Sequence, residues 1–258
     1  ENTTGENNTA VGKYALYANT TASYNTAVGE NASAAITTGE HNTSMGARAL
    51  DATTTADNNT AIGSAAMSVN TTGAHNTAVG HEAMYANTTS SYNTAIGKDA
   101  LKANTTANSN VAVGYAALDA NTTGAENTAI GAGSLGANTT AANNTAVGSN
   151  TLVTNTTGYS NCAFGHDCLE ANNANYNTAY GFEAMKTNSS GANNCAFGPQ
   201  TLFSNTTGTN NVAVGYYAMG VNSTGDYNTA VGYGALDANT TADANVAIGY
   251  YALTANTT

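Results

Sequence analysis

The chain has 258 residues, of which only 8% are charged, and it carries a net charge of −11. This acidic, lysine-poor composition argues against a nucleic-acid partner and against binding to anionic lipid. No segment approaches the roughly 18 consecutive apolar residues of a membrane-spanning helix, and none has the basic-then-apolar pattern of a secretory leader. We therefore expect no membrane insertion within this chain.

A unit of 17 residues, N-T-A-V-G-x-x-A-L-x-A-N-T-T-G-x-x, recurs along the whole sequence. Such a short fixed period is typical of solenoids, in which each unit buries its apolar side against its neighbours. We number the unit from its first Asn, so that position five is the Gly of N-T-A-V-G. The position-one asparagines are Asn8, Asn25, Asn42, Asn59, Asn76, Asn93, Asn110, Asn127, Asn144, Asn161, Asn177, Asn194, Asn211, Asn228 and Asn245.

Positions two to five begin each unit with a short predicted strand. Position three is Ala except at Ser44, which indicates a tight space, and position four is always large or β-branched. Position two holds Thr, Val or Cys, which suit a crowded strand interior. A glycine kept at position five predicts a positive φ or a close backbone approach. These glycines are Gly12, Gly29, Gly46, Gly63, Gly80, Gly97, Gly114, Gly131, Gly148, Gly165, Gly181, Gly198, Gly215, Gly232 and Gly249.

The A-L segment at positions eight and nine predicts a second apolar layer beside the strand. Position nine is Leu or Met except at Ser33, and position twelve is Asn except at Ile36 and Thr53. Gly, Asn and Thr pairs are weak helix formers, so short parallel strands fit the unit better than helices. The one shortened unit loses a residue between Asn172 and Tyr176, which places a turn at positions thirteen to seventeen.

The pattern as a whole predicts an all-β fold, a parallel β-solenoid of about fifteen coils with one coil per 17 residues. Residues 1–258 are expected to form one continuous solenoid. Glu1 and Thr258 both fall inside a unit and no capping unit is recognisable, so we expect a segment of a longer fibre or an uncapped filament protomer.

All charged residues except Glu1, and fourteen of the fifteen tyrosines, occupy positions six, seven, ten, sixteen and seventeen, which should therefore face water. The four histidines, His41, His75, His81 and His166, lie at such positions and predict no metal site. Cys162 and Cys195 at position two and Cys168 at position eight are interpreted as buried thiols, with a Cys162–Cys168 bridge left open. Neither a catalytic residue set nor a cofactor site is expected.

Two asparagine columns, at positions one and twelve, are interpreted as structural ladders that bond to one another and to turn backbones. The alternative is glycosylation. Asn19-Thr20-Thr21 and its copies match the N-x-[S/T] acceptor pattern, and Thr20 and Thr21 could equally carry O-linked sugars. An Asn/Thr-rich repeat produces such triplets automatically, so the match is weak.

The unit N-T-A-[V/I]-G-x-x-A-L-x-[A/S]-N-T-T-G resembles the repeat arrays of bacterial and phage tail-fibre-like proteins. Its N-[S/T] followed by A-[V/I]-G is also similar to the head repeats of trimeric autotransporter adhesins, whose unit is shorter. The resemblance implies a left-handed solenoid that associates as a trimer, on a cell surface or phage particle. The nearly uniform Ala column at position three favours a neighbouring copy as the partner, although a tightly zipped monomer would use it equally well.

These features predict a non-enzymatic structural protein of an extracellular fibre or filament shaft, adhesive through its tyrosine-bearing loops. Its expected partner is itself, as a homo-oligomer or an end-to-end filament, with a cell-surface or glycan receptor as a further candidate. Two alternatives belong to another class, surface-binding modules. An ice binder would use threonine ladders, but Thr20 and Thr21 are adjacent in a turn. A glycan-binding tail fibre is the other module; as a glycan-binding or glycan-degrading tail spike it would need carboxylates that break the repeat, and none is visible.

Overall fold

The computed structural model describes residues 2–257, which contain fifteen strands and no helix, hence no helix that could cross a membrane. The prediction of a fibre segment or uncapped protomer was based on Glu1 and Thr258, and both lie outside the described residues. Contacts divide the chain into two compact units, 1–127 and 128–258. The first unit holds β1 (Thr9–Val11), β2 (Thr26–Val28), β3 (Thr43–Met45), β4 (Thr60–Ile62), β5 (Thr77–Val79), β6 (Thr94–Ile96) and β7 (Val111–Val113). The second holds β8 (Thr128–Ile130), β9 (Thr145–Val147), β10 (Cys162–Phe164), β11 (Thr178–Tyr180), β12 (Cys195–Phe197), β13 (Val212–Val214), β14 (Thr229–Val231) and β15 (Val246–Ile248).

Within each unit, strands pair in parallel with their neighbours in chain order. Thr43 pairs with Thr60, one repeat of 17 residues later, and the same register holds along the sheet. At the shortened unit Cys162 pairs with Thr178, a step of 16 residues, and strand pairing continues unbroken. The prediction of a parallel β-solenoid with one coil per repeat is confirmed, and the missing residue falls in a turn as expected.

Backbone hydrogen bonds also join neighbouring coils outside the three-residue strands. Arg48 at position seven donates its N–H to Glu30 of the preceding coil (2.8 Å), whereas Leu50 at position nine donates to Ala66 of the following coil (3.1 Å). Both residues have left-handed φ angles, 60° for Arg48 and 52° for Leu50. The N–H groups of positions seven and nine thus point to opposite neighbours, while the N–H of Ala49 between them bonds to Gly46 within the coil, so that the turns add bonds to the ladder.

The interior is a thin column of small and aliphatic side chains. Ala61 at position three, Ala66 at position eight and Met67 at position nine are all fully buried, and their equivalents repeat this in most coils. A left-handed backbone costs a non-glycine residue about 1–2 kcal/mol, and burial of a Leu or Met side chain contributes about 1.5–3 kcal/mol. Burial therefore offsets the cost of the left-handed conformation at position nine.

The irregular residues of the repeat compensate one another. Ser33 replaces Leu at position nine, Ser44 replaces Ala at position three of the next coil, and their hydroxyl oxygens are 2.8 Å apart in a buried hydrogen bond. Ile36, which replaces Asn at position twelve of the same coil as Ser33, is fully buried. Polar and apolar residues have exchanged places within this coil, and the interior stays filled.

The prediction for the position-five glycines is confirmed on both counts. All fifteen have φ between 125° and 140°. At Gly63, an added Cβ would lie 2.6 Å from the carbonyl carbon of Gly80, the equivalent residue of the next coil. Since neither backbone can move without breaking the strand ladder, Gly63 and the glycines with the same close approach cannot be replaced; at Gly249 no backbone lies that close, and the positive φ alone favours glycine.

The orientation expected for position two is wrong. In β2 to β15 the middle residue is buried, whereas the residues at positions two and four are half-buried or exposed. Position three, together with positions eight and nine, fills the interior. The threonines, valines and isoleucines beside it line the outside of the coil instead.

Candidate functional site

The outward side chains of positions two and four form the strand face, which we define as these two residues of each strand β1 to β15. None of the thirty is charged. Several large apolar members are well exposed, including Ile96 (40%), Val214 (38%) and Val231 (36%). A row of uncharged, partly apolar side chains thus runs beside turns that carry the charged residues.

The strand face is comparable in area to the largest apolar patch of a typical monomer. Eight strands about 4.8 Å apart and three residues wide give a strip of roughly 400 Å² in the second unit alone. The largest apolar patch of a typical monomer is about 300–600 Å², and patches of that size often bind something. From β2 to β15 the position-three column, which was expected to face a neighbouring copy, is buried inside the coils and cannot do so; the strand face is the candidate surface.

Three consecutive strands replace the aliphatic residue of position four with an aromatic one. Phe164 stacks on Tyr180 with ring centroids 4.6 Å apart, and Tyr180 stacks on Phe197 at 4.7 Å, both nearly parallel. Ring pairs in such contact contribute about 0.5–1.5 kcal/mol beyond their burial. The column gives β10 to β12 an aromatic version of the strand face.

The three cysteines are all free thiols, and their predicted burial is correct only for Cys168. Burial raises the pKa of the Cys168 thiol to about 12, and its sulfur lies 3.4 Å from the Ala179 carbonyl oxygen. Cys162 and Cys195 are half-buried because position two faces outward. The Cys162 sulfur contacts the Tyr180 hydroxyl at 3.7 Å, on the strand face.

The predicted asparagine ladders are present in the structure. At position one, the side-chain oxygen of Asn42 accepts the N–H of Asn59 in the next coil (3.0 Å), and its amide nitrogen donates to the Ala56 carbonyl (2.8 Å). At position twelve, Asn87 donates to the side-chain oxygen of Asn70 at 2.8 Å. These amides connect coils and close turns, which is a structural role.

The geometry at Asn19 argues against N-glycosylation of the folded protein. Only 2% of Asn19 is exposed. Its amide nitrogen donates to the Ala22 carbonyl (3.2 Å) and its side-chain oxygen accepts the Ala22 N–H (3.0 Å). A sugar on this nitrogen would displace a buried turn. Thr20 and Thr21 are exposed, so O-linked modification there stays a prediction.

Lys186 is the centre of a compact ion-pair cluster in the charged turns. Its ammonium group lies 2.8 Å from Glu183, 3.0 Å from Asp167 and 3.4 Å from Glu170. Hydrogen bonds from Lys186 and Gln200 lower the pKa of Glu183 below its ordinary value. Partial burial alone would raise the pKa of Asp167, but hydrogen bonds from Lys186 and Asn150 and the lysine charge together lower it.

Acidification should therefore remove part of the stability of the second unit. Carboxylates with lowered pKa values stabilise the fold above their ordinary pKa values and lose that contribution as the pH falls through the lowered ones. We expect the urea concentration at the denaturation midpoint to decrease as the pH is lowered from about 5 to about 3. The decrease should be smaller in Lys186→Met. Lys13→Met, which removes a lysine 67% exposed and 3.5 Å from Glu30, is the control. A pH dependence unchanged by Lys186→Met would contradict this assignment.

A second cluster brings His81, Glu82 and Asp99 within 4.8 Å of one another, as metal ligands could be. Lysines already neutralise its carboxylates, however. Lys102 lies 2.6 Å from Glu82 and 3.2 Å from Asp99, and Lys98 also pairs with Asp99. A cation at this place would have to displace two ammonium groups, so the cluster is interpreted as a surface ion-pair network.

All four histidines are exposed, as expected. His41 stacks on Tyr24 at a centroid distance of 4.8 Å, and His75 stacks on Tyr92 at 5.0 Å. Each pair joins equivalent positions of neighbouring coils, which gives these imidazoles a packing role.

Comparison of the chain with protein-family models, with curated proteins and with solved structures finds no match. The resemblance to tail-fibre-like arrays and adhesin heads therefore stays a prediction. Function has to be argued from the repeat, the strand face and the charged turns.

Proposed function

We propose that this protein is a non-enzymatic structural element of an extracellular fibre or filament, in which copies of the chain associate through the strand face. The observation that carries the proposal is the strand face itself, an uncharged strip repeated coil after coil. Equivalent coils offer equivalent side chains, so a second copy can align with the first along many repeats. This kind of contact suits a shaft that bears load along its length.

Repetition also supports growth of a fibre along the coil axis. Each coil donates N–H groups to both of its neighbours and accepts from both, as Arg48 and Leu50 do. A copy whose coils continued this pattern would extend the same ladder. The exposed tyrosines of the turns, such as Tyr92 (64%) and Tyr227 (65%), would remain available for adhesion to a cell-surface or glycan receptor.

Charges placed on the strand face should abolish lateral association. The double variant Val214→Lys/Val231→Lys puts two lysines on neighbouring exposed strand positions, where pairing with a second apolar strip would bury them. In sedimentation velocity we expect the unmodified protein to form oligomers of its 25.8 kDa chain. The variant should associate at least about tenfold more weakly, since a buried unpaired charge costs more than 1.4 kcal/mol.

The matched control is Thr207→Lys/Thr224→Lys, which adds the same charge at exposed turn positions of neighbouring coils. It should leave association unchanged. Electron microscopy of the same samples would show whether the particles are elongated. A monomer at all concentrations, or equal weakening in both variants, would remove the strand face from the proposal.

Ice binding is the second candidate function, and the strand face gives it a better basis than the turn threonines did. From β2 to β6, every strand places an outward Thr at position two and an outward apolar residue at position four, with one buried residue between them. Such rows form a regular array of hydroxyl and methyl groups. Thermal hysteresis of the monomeric protein, lost on a lysine substitution in β4, would favour this function over the fibre.

A further inference from the structure

An open groove of about 580 Å³ lies in the turns of the second unit, away from the strand face. This volume is within the range of small-molecule sites, roughly 300–1,000 Å³. The groove spans positions seven, ten and eleven of adjacent coils. Its lining consists of Tyr217, Val221, Asp237, Ala238, Tyr251 and Thr254.

Two tyrosines at position seven form the aromatic part of the lining, and a glycine occupies this position in the coil between them. The Tyr217 ring packs on Gly220, where an added Cβ would lie 2.5 Å from the ring. The Tyr251 ring packs on Gly234 at the same close distance. Both rings therefore lie directly against glycine backbone, and a side chain at Gly220 or Gly234 would displace the ring that packs there.

Neighbouring tyrosines hold Tyr251 in place. Its ring meets Tyr250 edge to face at a centroid distance of 4.7 Å and Tyr233 in the same way at 5.3 Å. A hydrogen bond with the Tyr233 hydroxyl is the main cause that raises the pKa of the Tyr251 phenol. A wall fixed by three contacts loses little freedom when a ligand packs against it.

Asp237 supplies the only charged group of the lining. The side chain is half-buried, and within residues 2–257 it forms no ion pair with a lysine or arginine. Lys186 is the last basic residue of the sequence, so the chain itself brings no cation to this region. The Asp237 carboxylate and the two tyrosine rings beside it all attract a positive charge, and no lysine or arginine of the chain supplies one.

We propose that this groove binds an organic cation, a quaternary or alkylated ammonium group, with its alkyl groups against Tyr217 and Tyr251 and its charge beside Asp237. The electron-rich faces of tyrosine attract such cations, and the attraction grows as the cation loses water. The apolar side chains of Val221 and Ala238 suit the methyl groups of such a cation. Nothing in this site depends on fibre formation.

Calorimetric titration of the full chain with choline, and with its uncharged isostere in which carbon replaces the quaternary nitrogen, tests the proposal. The two ligands have the same shape, so their difference reports the charge. We expect choline to bind at least about tenfold more tightly than the isostere at low salt. Tyr217→Leu and Tyr251→Leu should each weaken choline binding about three- to tenfold, and Asp237→Asn by at least as much.

Asp119→Asn is the matched control, because Asp119 occupies the same repeat position in another coil, where position seven is Ala116. It should not alter choline binding. Tyr251→Phe keeps the aromatic ring that lines the groove and should retain most of the affinity. Weak binding by Tyr251→Leu alone would then report loss of the ring and not misfolding. Equal binding of the isostere, an equal effect of Asp119→Asn, or no choline binding by the folded chain would overturn the proposal.

Discussion

Replacing Gly131 with alanine is expected to destabilise the second unit by about 3 kcal/mol or more, because two independent costs coincide at this residue. Its φ of 130° lies in a region that L-residues rarely adopt. An added Cβ would also lie 2.5 Å from the carbonyl carbon of Gly148, besides overlapping the oxygen, and 2.9 Å from the N of Ser149. All three contacts are with the backbone of the next coil, which cannot yield without opening the ladder.

Gly133, two residues further along the same coil, provides the control. Its φ is 66°, close to the 56° of Ala65 and the 51° of Ala116 at the same repeat position. A Cβ on Gly133 would meet only the side-chain oxygen of Asn150, at 3.1 Å. Gly133→Ala should therefore cost about 1 kcal/mol, the price of a left-handed alanine.

Urea denaturation followed by circular dichroism would compare the two variants. Since each coil contacts only its neighbours, hydrogen exchange should also show faster opening near Gly131→Ala than near Gly133→Ala. Equal losses in the two variants would mean that glycine at position five is not required by its conformation, and the interpretation of all fifteen such glycines would fail.

The period, the coil length and the glycine conformation could be predicted because the chain contains fifteen versions of one unit. A residue kept in every version, such as the position-five glycine, must satisfy a constraint that every coil shares. The shortened unit located the turn in the same way, since a residue can be lost only where no strand register depends on it. The coupled exchange at Ser33, Ser44 and Ile36 could not be predicted, because it requires knowing which side chains of adjacent coils touch.

The sidedness of the strand was predicted wrongly for a physical reason. In a strand, the side chains of positions two and four lie on one face and that of position three lies on the other. This alternation alone does not reveal which of the two faces is buried. Thr and Val fit both environments. The chain closes on the Ala side because the Leu and Met side chains of position nine, held in a left-handed backbone, fill the space beside it. Helix and strand propensities give no signal for a left-handed leucine.

This reversal changed the candidate site. The side chains that were expected to fill an interior became the strand face, and the Ala stripe that was expected to meet a partner became the interior. The groove at Tyr217 and Tyr251 also escaped prediction, although its residues at positions seven and ten were correctly placed on the outside. Its signal in the sequence was a glycine, Gly234, at a position where both neighbouring coils have tyrosine.

Removing a position-one asparagine should cost as much as removing a position-five glycine. Asn42→Ala leaves the N–H of Asn59 and the carbonyl of Ala56 without their partners, and both groups are buried beside the ladder. In this coil position twelve is Thr53, whose hydroxyl donates to Asn70 instead, so no second side chain reaches Ala56. Two unsatisfied backbone groups at about 1–3 kcal/mol each predict a loss of about 2 to 6 kcal/mol.

Asn58→Ala is the control from the same coil. Asn58 is exposed at position seventeen with a φ of 59°, and Ala244 has nearly the same φ, 58°, at that position of another coil. Its replacement should cost no more than about 1 kcal/mol. Equilibrium denaturation of both variants measures the difference, and similar losses at Asn42 and Asn58 would show that the ladder amides contribute little.

Asn211→Ala extends the test to a coil with a complete pair of ladders. Here the Gly225 carbonyl accepts from Asn211 at 2.8 Å and also from Asn222 at 3.1 Å. One acceptor therefore keeps a partner after the substitution, and only the N–H of Asn228 is left unsatisfied. We expect a loss smaller than at Asn42 by about 1–2 kcal/mol. That ordering follows only if the two asparagine columns share the same carbonyl, and the reverse ordering would refute it.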